Sequence, residues 1–249
     1  MTPLLEVRSL RVVHRRPWSL RPPTVAVDEV DLVVRGGEVV GLVGESGCGK
    51  TSLLRAACGL VPRAGGSVRL LGVDPAIAGR PPPRAQLLVQ DAAAALNPRL
   101  TVEGWLRESA RVHQPDHPER VEAALAAYGL VHRRDALPGA LSGGEQRRVG
   151  LAALSLAEPR IVLADEPTAG LDAARKGELL DQLLGERAPD RALVLVTHDL
   201  LLARRVCSRL VFLHAGRVVE DVAIDALADV QSAPARRLCR AGGILPEPR

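Results

Sequence analysis

An apolar run, a glycine-rich octapeptide and a helical pattern follow one another directly, and this order constrains the fold more than any other feature. The run Val39–Val43 has the length and composition of a strand that is buried on both faces of a parallel sheet. Gly44–Thr51 reads GESGCGKT, and a helical pattern continues over Ser52–Leu60. We therefore expect an α/β protein in which this loop joins a buried strand to a helix.

The remaining pattern agrees with this class. Strands are predicted at 5–13, 25–34, 67–71, 86–90, 161–164, 193–197 and, as two short strands, within 210–219. Helical periodicity dominates from about 101 to 154, and the segment after residue 232 is expected to pack as a helix. Because strands and helices alternate in the second half, the sheet is predicted to be parallel.

The octapeptide fits the pattern G-x-x-x-x-G-K-[ST], and each part of that pattern has a mechanical reason. Its glycines let backbone N–H groups converge on phosphate oxygens, and the next helix presents the positive end of its dipole. Lys50 would reach the β and γ phosphates, and the Thr51 hydroxyl would bind Mg²⁺. An ordinary glycine-rich turn is the alternative, and the flanking strand and helix argue against it. The predicted phosphate-binding residues are Gly44, Glu45, Ser46, Gly47, Cys48, Gly49, Lys50, Thr51 and Ser52.

Composition singles out the same lysine. The chain has 249 residues and 33 basic side chains, of which only Lys50 and Lys176 are lysine and the others arginine. A compact ammonium suits a phosphate loop better than a planar guanidinium does, so Lys50 has a chemical reason to be retained. Lys176 has no such reason in the sequence, and we expect it to be a solvated surface residue.

A second apolar strand, Ile161–Ala164, ends in the carboxylates Asp165 and Glu166. The carboxyl ends of parallel strands form the edge at which open α/β folds bind ligands. Asp165 would hold Mg²⁺, directly or through water, and Glu166 would orient and deprotonate an attacking water. The first turn of a helix is the alternative for such a carboxylate pair, but the phosphate loop upstream favours a catalytic role.

A third segment, LSGGEQ at 141–146, begins a helical pattern. Ser142, Gly143, Gly144 and Glu145 would present free N–H donors at the start of that helix, which makes a second anion site. One chain has no use for two phosphate cradles around one nucleotide, so this segment is expected to face another molecule.

With the phosphate loop, LSGGE and LADE in this order, the chain resembles the nucleotide-binding subunit of an ATP-binding cassette (ABC) transporter over roughly residues 5 to 220. The resemblance implies a P-loop ABC ATPase fold with a RecA-like core, an antiparallel β subdomain and an inserted helical subdomain. It implies a nucleotide-binding domain over 1–232, with the helical subdomain at about 99–155, and a short C-terminal tail over 233–249. The implied cofactors are ATP and Mg²⁺.

The same resemblance assigns further roles. Gln90 in LLVQD is similar to the glutamine that contacts Mg²⁺ and the attacking water and senses the membrane partner. Asp172 in AGLD is similar to a residue of the loop that crosses to the other monomer, and His198 in LVTHD to the switch histidine at the γ-phosphate. The family stacks adenine on an aromatic side chain near the end of the first strand, where His14 or Trp18 must substitute. Glu145 replaces the commoner glutamine, a variant expected to leave Ser142 and Gly144 able to bind the γ-phosphate across a dimer.

The expected site thus has three parts. Its catalytic residues are Glu166, His198 and Gln90; its magnesium ligands are Thr51, Gln90 and Asp165; and its nucleotide contacts are residues 44–52, Ser142, Gly143, Gly144, Glu145 and Asp172.

Several local features resemble the peptide and nickel importers: GESGCGK, LNPRLTV, the loop HRRPWSLRPP and the terminal SAPARRLCRAGGILP. In that branch two different ATPase subunits serve one pair of membrane proteins. The implied partners are a homologous ATPase subunit, integral membrane permease subunits and, indirectly, an extracytoplasmic substrate-binding protein. The implied location is the cytoplasmic face of the cell membrane.

Charge and hydropathy exclude other classes. The net charge is +4 with scattered arginines, so no nucleic acid partner is expected. No apolar stretch approaches the roughly 18 residues of a spanning helix, and the N-terminus lacks the pattern of a signal peptide. The four cysteines have no zinc-like spacing and are expected to be reduced thiols without a major role.

Two alternatives stay open. The chain could serve as the ATPase of a soluble complex that degrades phosphonates, the carbon–phosphorus lyase, whose ATPases closely resemble the peptide-importer branch. It could also be a regulatory nucleotide-binding subunit without hydrolysis.

Overall fold

The computed structural model describes residues 2–15, 22–89, 96–113, 119–169, 173–184 and 188–246. Its strands are β1 (Leu5–His14), β2 (Thr24–Val34), β3 (Val39–Val43), β4 (Gly65–Leu70), β5 (Ala85–Leu88), β6 (Ile161–Asp165), β7 (Ala192–Val196), β8 (Arg209–His214) and β9 (Arg217–Ala223). Its α-helices are α1 (Lys50–Ala57), α2 (Pro75–Ala78), α3 (Val102–His113), α4 (Glu119–Ala127), α5 (Gly143–Ala157), α6 (Ala173–Leu184), α7 (Leu200–Val206) and α8 (Ala233–Ala241). Short 3₁₀ helices lie at Val131–Arg133, Pro138–Ala140 and Ile224–Asp229.

The central sheet has the strand order β5-β6-β7-β3-β8-β9. All neighbours in it are parallel except β9, which is antiparallel to β8. Every residue of β3, β6 and β7 is buried. Both faces of these strands are covered, which explains why they are continuous apolar runs rather than alternating ones. The predicted α/β class with a parallel sheet is confirmed.

An antiparallel sheet of order β2-β1-β4 packs beside the central one. Its apolar face shares one core with α1 and with one face of the central sheet. The backbone N–H of Asp28 in β2 donates to the carbonyl of Gly216, in the turn between β8 and β9, at 2.8 Å. This sheet is the expected antiparallel β subdomain.

The helices α3, α4 and α5 enclose a separate core. Leu106, Leu125 and Val149, one from each helix, are almost completely inaccessible in its interior. This cluster lies where a helical subdomain is predicted from the sequence. The boundaries of about 99–155 for the subdomain and 1–232 for the whole domain stay predictions.

The second face of the central sheet is covered by α6, α7 and α8. Ala235 and Cys239 of α8 are completely buried, so the helix predicted after residue 232 contributes to the core rather than lying on the surface. None of the helices in the described ranges combines the length and apolar character that a membrane crossing needs.

The four cysteines all lie within the described ranges, form no disulfide and are buried. Burial raises the pKa of the Cys58 thiol to about 12 and that of Cys239, which also lies near the charge of Glu220, to about 11. The thiols of Cys58 and Cys239 therefore stay protonated at neutral pH, which makes them poor nucleophiles.

The helix after the phosphate loop differs from its predicted bounds at both ends. It begins at Lys50 rather than Ser52, because Gly49 adopts a left-handed conformation with φ 110° and turns the chain directly into the helix. It ends at Ala57 because Gly59 is also left-handed, at φ 73°. The N–H of Gly59 donates to the Ala56 carbonyl, and the N–H of Leu60 donates to the Arg55 carbonyl. This pair of hydrogen bonds is the Schellman motif of a helix C-terminus.

Gly41 in the middle of β3 tests how tightly the central sheet is packed. A Cβ at this position would stand 2.5 Å from Leu210 Cδ2 and 2.9 Å from Cys207 Sγ. We expect Gly41→Ala to lower the free energy of unfolding by about 1–3 kcal/mol, because an added methyl group overfills a close-packed interior. Chemical denaturation measures the change.

Gly177→Ala on the exposed side of α6 is the matched control, since no described atom outside the backbone of its own helix lies within 4 Å of the added Cβ. It should raise stability by up to about 1 kcal/mol, because alanine favours a helix interior over glycine. A Gly41→Ala protein as stable as the wild type would contradict the packing described for β3.

Candidate functional site

The phosphate loop runs from the end of β3 to the start of α1, and its glycines are required by close backbone contacts. A Cβ on Gly44 would stand 2.3 Å from the Leu213 carbonyl oxygen, and one on Gly49 would stand 2.1 Å from the Ala26 carbonyl oxygen. Gly47 has φ 80°, which side-chain-bearing residues rarely adopt. No other residue type fits at Gly44 or Gly49 without moving the neighbouring strand.

Lys50 folds back across this loop. Its Nζ donates to the carbonyl oxygens of Gly44 at 2.8 Å and Glu45 at 2.9 Å, and only 7% of the residue is exposed. The ammonium is therefore held beside the loop before any anion binds. A cation fixed at the mouth of a glycine loop is an arrangement that binds phosphate groups.

Two oxygen ligands stand side by side next to the loop. The Thr51 hydroxyl donates to Asp165 Oδ1 at 3.2 Å, which joins α1 to the end of β6. Burial raises the pKa of Asp165, while the hydrogen bond from Thr51 lowers it and the neighbouring charge of Glu166 raises it. The net shift is upward despite the nearby charges of Arg55 and Lys50, so a bound cation would stabilise the ionised form of this carboxylate.

Glu166 and His198 form the second contact at this edge. His198 Nδ1 lies 2.8 Å from Glu166 Oε2. Glu166 has a left-handed backbone with φ 49°, and its N–H donates to the Val196 carbonyl at 3.0 Å. A non-glycine residue in this conformation is strained, and such strain is concentrated at functional positions.

The order β6-β7-β3 explains why these groups meet. Asp165 and Glu166 follow β6, His198 follows β7, and the phosphate loop follows β3. The three strands are adjacent and parallel, so their carboxyl ends share one edge of the sheet. Residues that are more than 100 positions apart in the sequence therefore form one site.

The LSGGEQ segment lies elsewhere, at the start of α5 in the helical subdomain. Ser142 is the N-cap: its hydroxyl accepts from the Glu145 N–H at 3.3 Å, and the Glu145 carboxylate accepts from the Ser142 N–H at 2.8 Å. The Ser142 hydroxyl also donates to Glu145, and Arg133 Nε donates to the same carboxylate at 2.8 Å. These bonds hold the pKa of Glu145 at about 2, through the backbone and hydroxyl of Ser142 first and Arg133 next.

Three of the predicted residues lie outside the described ranges: Gln90, Asp172 and Trp18. His14, the other candidate for contact with adenine, is at the end of β1, and its Nε2 lies 2.8 Å from Ser52 Oγ. The ring is thereby held against the first turn of α1, next to the phosphate loop.

Lys176 is not the solvated residue that the sequence suggests, and that prediction is wrong. Its Nζ donates to Asp199 Oδ2 at 2.9 Å, and its side chain is 28% exposed. The partner is 23 residues away and on another element, so no helical spacing could reveal the pair. The rarity of lysine in this chain was the only signal.

The family described as ABC transporter matches residues 27–169. The chain belongs to the ABC transporter family. The family expected from the LSGGE and LADE motifs is thus confirmed.

Relatives of this ABC chain include proteins of the branch that its local features resemble. It is 34% identical over 239 residues to the oligopeptide transport ATP-binding protein OppF of Escherichia coli, covering 87% of this chain and 70% of the relative. It is 36% identical over 222 residues to the nickel import ATP-binding protein NikE of Pseudomonas putida, covering 84% of this chain and 79% of the relative.

Solved structures agree on the fold. An ATP-binding subunit of an ABC transporter superposes with a TM-score of 0.79 and 26% identity, covering 96% of this chain and 99% of that one. A dimeric ATP-binding cassette with ADP and Pi superposes with a TM-score of 0.73 and 24% identity, covering 88% and 98%. The second likeness concerns the fold alone. The predicted ABC ATPase fold is confirmed.

The capping box of this ABC chain generates a prediction about acid stability. Glu145 has a pKa of about 2 in the folded chain against an ordinary value of 4.5. Its stabilising effect is therefore complete above 4.5 and is lost as the pH falls toward 2. We expect Glu145→Gln to lower the melting temperature at neutral pH, and the gap to the wild type to narrow as the pH falls through this window.

Melting curves across that pH range check the expectation, with Glu108→Gln, an exposed carboxylate on α3, as the control. A Glu145→Gln gap that stays constant with pH would show that the ionised carboxylate does not stabilise the folded state.

Proposed function

We propose that this chain is the ATP-binding and ATP-hydrolysing subunit of an ABC importer for peptides, nickel or a metal chelate, which drives transport through partner membrane subunits. The observation that carries the proposal is the meeting of the phosphate loop, Thr51–Asp165 and Glu166–His198 at one sheet edge. The cargo class is supported by the two relatives that are named for oligopeptide and nickel import.

The phosphate loop binds the triphosphate of ATP in this proposal. Residues 44–52 supply backbone N–H groups, and α1 adds the positive end of its dipole. The Lys50 ammonium moves from the carbonyls of Gly44 and Glu45 to the phosphate oxygens, which are stronger, charged acceptors. The proposed base contact is His14, held by Ser52 at the end of β1.

The residues present also fit Mg²⁺. The Thr51 hydroxyl and the Asp165 carboxylate are hard oxygen donors 3.2 Å apart. Gln90, to which the family resemblance assigns a contact with Mg²⁺, would add an amide oxygen. A bound Mg²⁺ would supply positive charge to the phosphate oxygens where negative charge develops. Asp165 would hold it directly or through water.

Hydrolysis requires a base and a group that contacts the γ-phosphate. Glu166 accepts the proton of the attacking water in this scheme, since its carboxylate lies at the open edge of the sheet. His198, whose Nδ1 contacts that carboxylate, presents its other ring nitrogen to the γ-phosphate. Because the backbone of Glu166 is left-handed, the chain leaves the direction of β6 at this residue, and the carboxylate faces His198.

A second subunit completes the site. Ser142, Gly143 and Gly144 lie at the N-terminus of α5, in the helical subdomain, where they offer donors to the γ-phosphate of an ATP bound by another ATPase subunit. Asp172 belongs to the segment proposed to cross between subunits. The further proposed partners are integral membrane permease subunits and, indirectly, a substrate-binding protein, with the chain at the cytoplasmic face of the membrane.

Glu166→Gln tests the proposed base. We expect ATP turnover to fall by about 100-fold or more, because an amide cannot accept the proton, while ATP binding persists and an ATP-bound dimer accumulates. Phosphate release and size-exclusion chromatography with MgATP measure the two effects, on the chain co-purified with its partner subunits. Unchanged hydrolysis would overturn the proposed function.

Glu29→Gln is the matched control for that variant, because Glu29 also has a left-handed backbone, at φ 53°, and lies away from the site in β2. Its hydrolysis should equal that of the wild type. Co-purification with soluble proteins instead of membrane subunits would favour the phosphonate-degrading complex.

His14→Ala tests the proposed adenine contact. Loss of a stacked ring should weaken ATP binding by about 2- to 10-fold and reduce the preference for ATP over GTP, since stacking of this kind contributes about 0.5–1.5 kcal/mol. Competition between nucleotides for the chain measures both effects, with Ile77→Ala, which truncates an exposed side chain on α2, as the control. Unchanged affinity would assign the contact to another side chain.

A further inference from the structure

Lys176 and Asp199 form an ion pair that joins two elements beside the candidate site. Lys176 Nζ lies 2.9 Å from Asp199 Oδ2, and each side chain is 28% exposed. Lys176 is the fourth residue of α6, while Asp199 directly follows His198. The pair therefore fixes the distance between α6 and the segment that carries His198.

The location of Lys176 is unfavourable for the helix that bears it. The N-terminal turn of a helix carries partial positive charge, so a cation near it is repelled. Arginine replaces lysine almost everywhere in this chain, yet a lysine occupies this position. A cation near a helix N-terminus is explained by a carboxylate that compensates for the unfavourable dipole, and Asp199 is that carboxylate.

Hydrogen bonds hold both carboxylate oxygens of Asp199 and its backbone N–H. Its Oδ1 accepts from the Leu202 N–H at 3.0 Å and thereby caps α7, and its Oδ2 accepts from Lys176. Its own N–H donates to Thr197 Oγ1 at 3.0 Å, and Thr197 is buried. Burial would raise the pKa of Asp199, but the hydrogen bond from Lys176, the Leu202 N–H and the charge of Lys176 lower it overall.

His198 lies between Thr197 and Asp199 in the sequence, and its own side chain is exposed to solvent. Its side chain is 71% exposed, and its described contact is the 2.8 Å approach to Glu166 Oε2. An exposed ring has little packing to restrict its rotamers, so its direction depends on the backbone that carries it. That backbone is fixed by Thr197 on one side and by Asp199 on the other.

We propose that Lys176 is a positioning residue for His198, acting through its ion pair with Asp199, which fixes the Thr197–Asp199 segment so that the ring meets the Glu166 carboxylate. The expected effect on ATP hydrolysis rests on the proposed function. The position of the His198 ring does not, because it can be measured in the absence of hydrolysis. Lys176 does not contact the phosphate loop in this scheme, so its loss affects the chemical step and not nucleotide binding.

Three variants separate this role from general stability. Lys176→Met removes the charge and keeps most of the side-chain volume. Asp199→Asn keeps the helix cap, because asparagine caps as well as aspartate, and removes only the charge of the pair. Lys176→Arg restores a cation at the same place.

The chain offers a matched control pair, Arg63–Asp74. Asp74 caps α2 through the Ala76 N–H and pairs with Arg63 Nη2 at 2.8 Å, so it has the same construction as Asp199. Arg63→Met and Asp74→Asn therefore reproduce the loss of a cap-bound ion pair on another helix.

Kinetics on the full chain with its co-purified subunits give the first result. We expect Lys176→Met and Asp199→Asn each to lower kcat about 10-fold, with KM for ATP changed less than about 2-fold, because a misplaced catalytic group slows the reaction without weakening binding. The double variant should lose no more than either single one, and Lys176→Arg should recover most of the rate. The two control variants should keep the wild-type kcat.

NMR of ¹⁵N-histidine-labelled chain gives a second result that needs no hydrolysis. Lys176→Met should shift the His198 ring signals while the control variants leave them in place. If the wild type hydrolyses no ATP but the shift occurs, the proposed function fails and the positioning role stands. Unchanged His198 signals, or a lower melting temperature with wild-type kcat, would overturn the inference.

Discussion

Parallel pairing of β6, β7 and β3 organises everything at the candidate site. The three strands are buried along their whole length, and the backbone hydrogen bonds between parallel neighbours fix their register. Their carboxyl ends therefore present Asp165–Glu166, His198 and the phosphate loop at fixed relative positions. The proposed reaction needs carboxylates, an imidazole and a phosphate-binding loop close to one another. The hydrogen bonds between these strands hold the groups at the required positions.

Local backbone conformation then directs the groups at this edge. Left-handed Gly49 turns the chain directly into α1 and brings Lys50 back over the loop. Left-handed Glu166 directs its carboxylate toward His198, and the ion pair of Lys176 with Asp199 anchors the other side of that contact. Strain at Glu166 is tolerated because residues on both sides of it, Asp165 and Thr168, are buried, and the Asp199 carboxylate compensates for the unfavourable cation near the start of α6.

Much of the site was predictable because its signals are local or follow from the sheet. GESGCGKT, the carboxylates after Ile161–Ala164 and His198 each follow an apolar strand, and parallel strands place such residues on one edge. The capping box of Ser142 and Glu145 was foreseeable in part, since S-x-x-E is its sequence pattern. Arg133 was not, because it comes from a separate 3₁₀ helix. The predicted bounds of α1 were wrong because left-handed Gly49 and Gly59 set its two ends. Hydrophobic periodicity contains no information about these backbone conformations.

The amino-acid order alone was sufficient for the α/β class, the phosphate loop, the paired carboxylates and the family, because short-range patterns of apolar, glycine and acidic residues encode each of them. Packing in three dimensions settled what those patterns leave open. It placed Thr51 against Asp165 and His198 against Glu166, kept the LSGGEQ segment apart on the helical subdomain, and paired Lys176 with Asp199. Contacts between residues distant in sequence leave no periodic trace, so the role of the second lysine became visible only once α6 and the end of β7 were packed side by side.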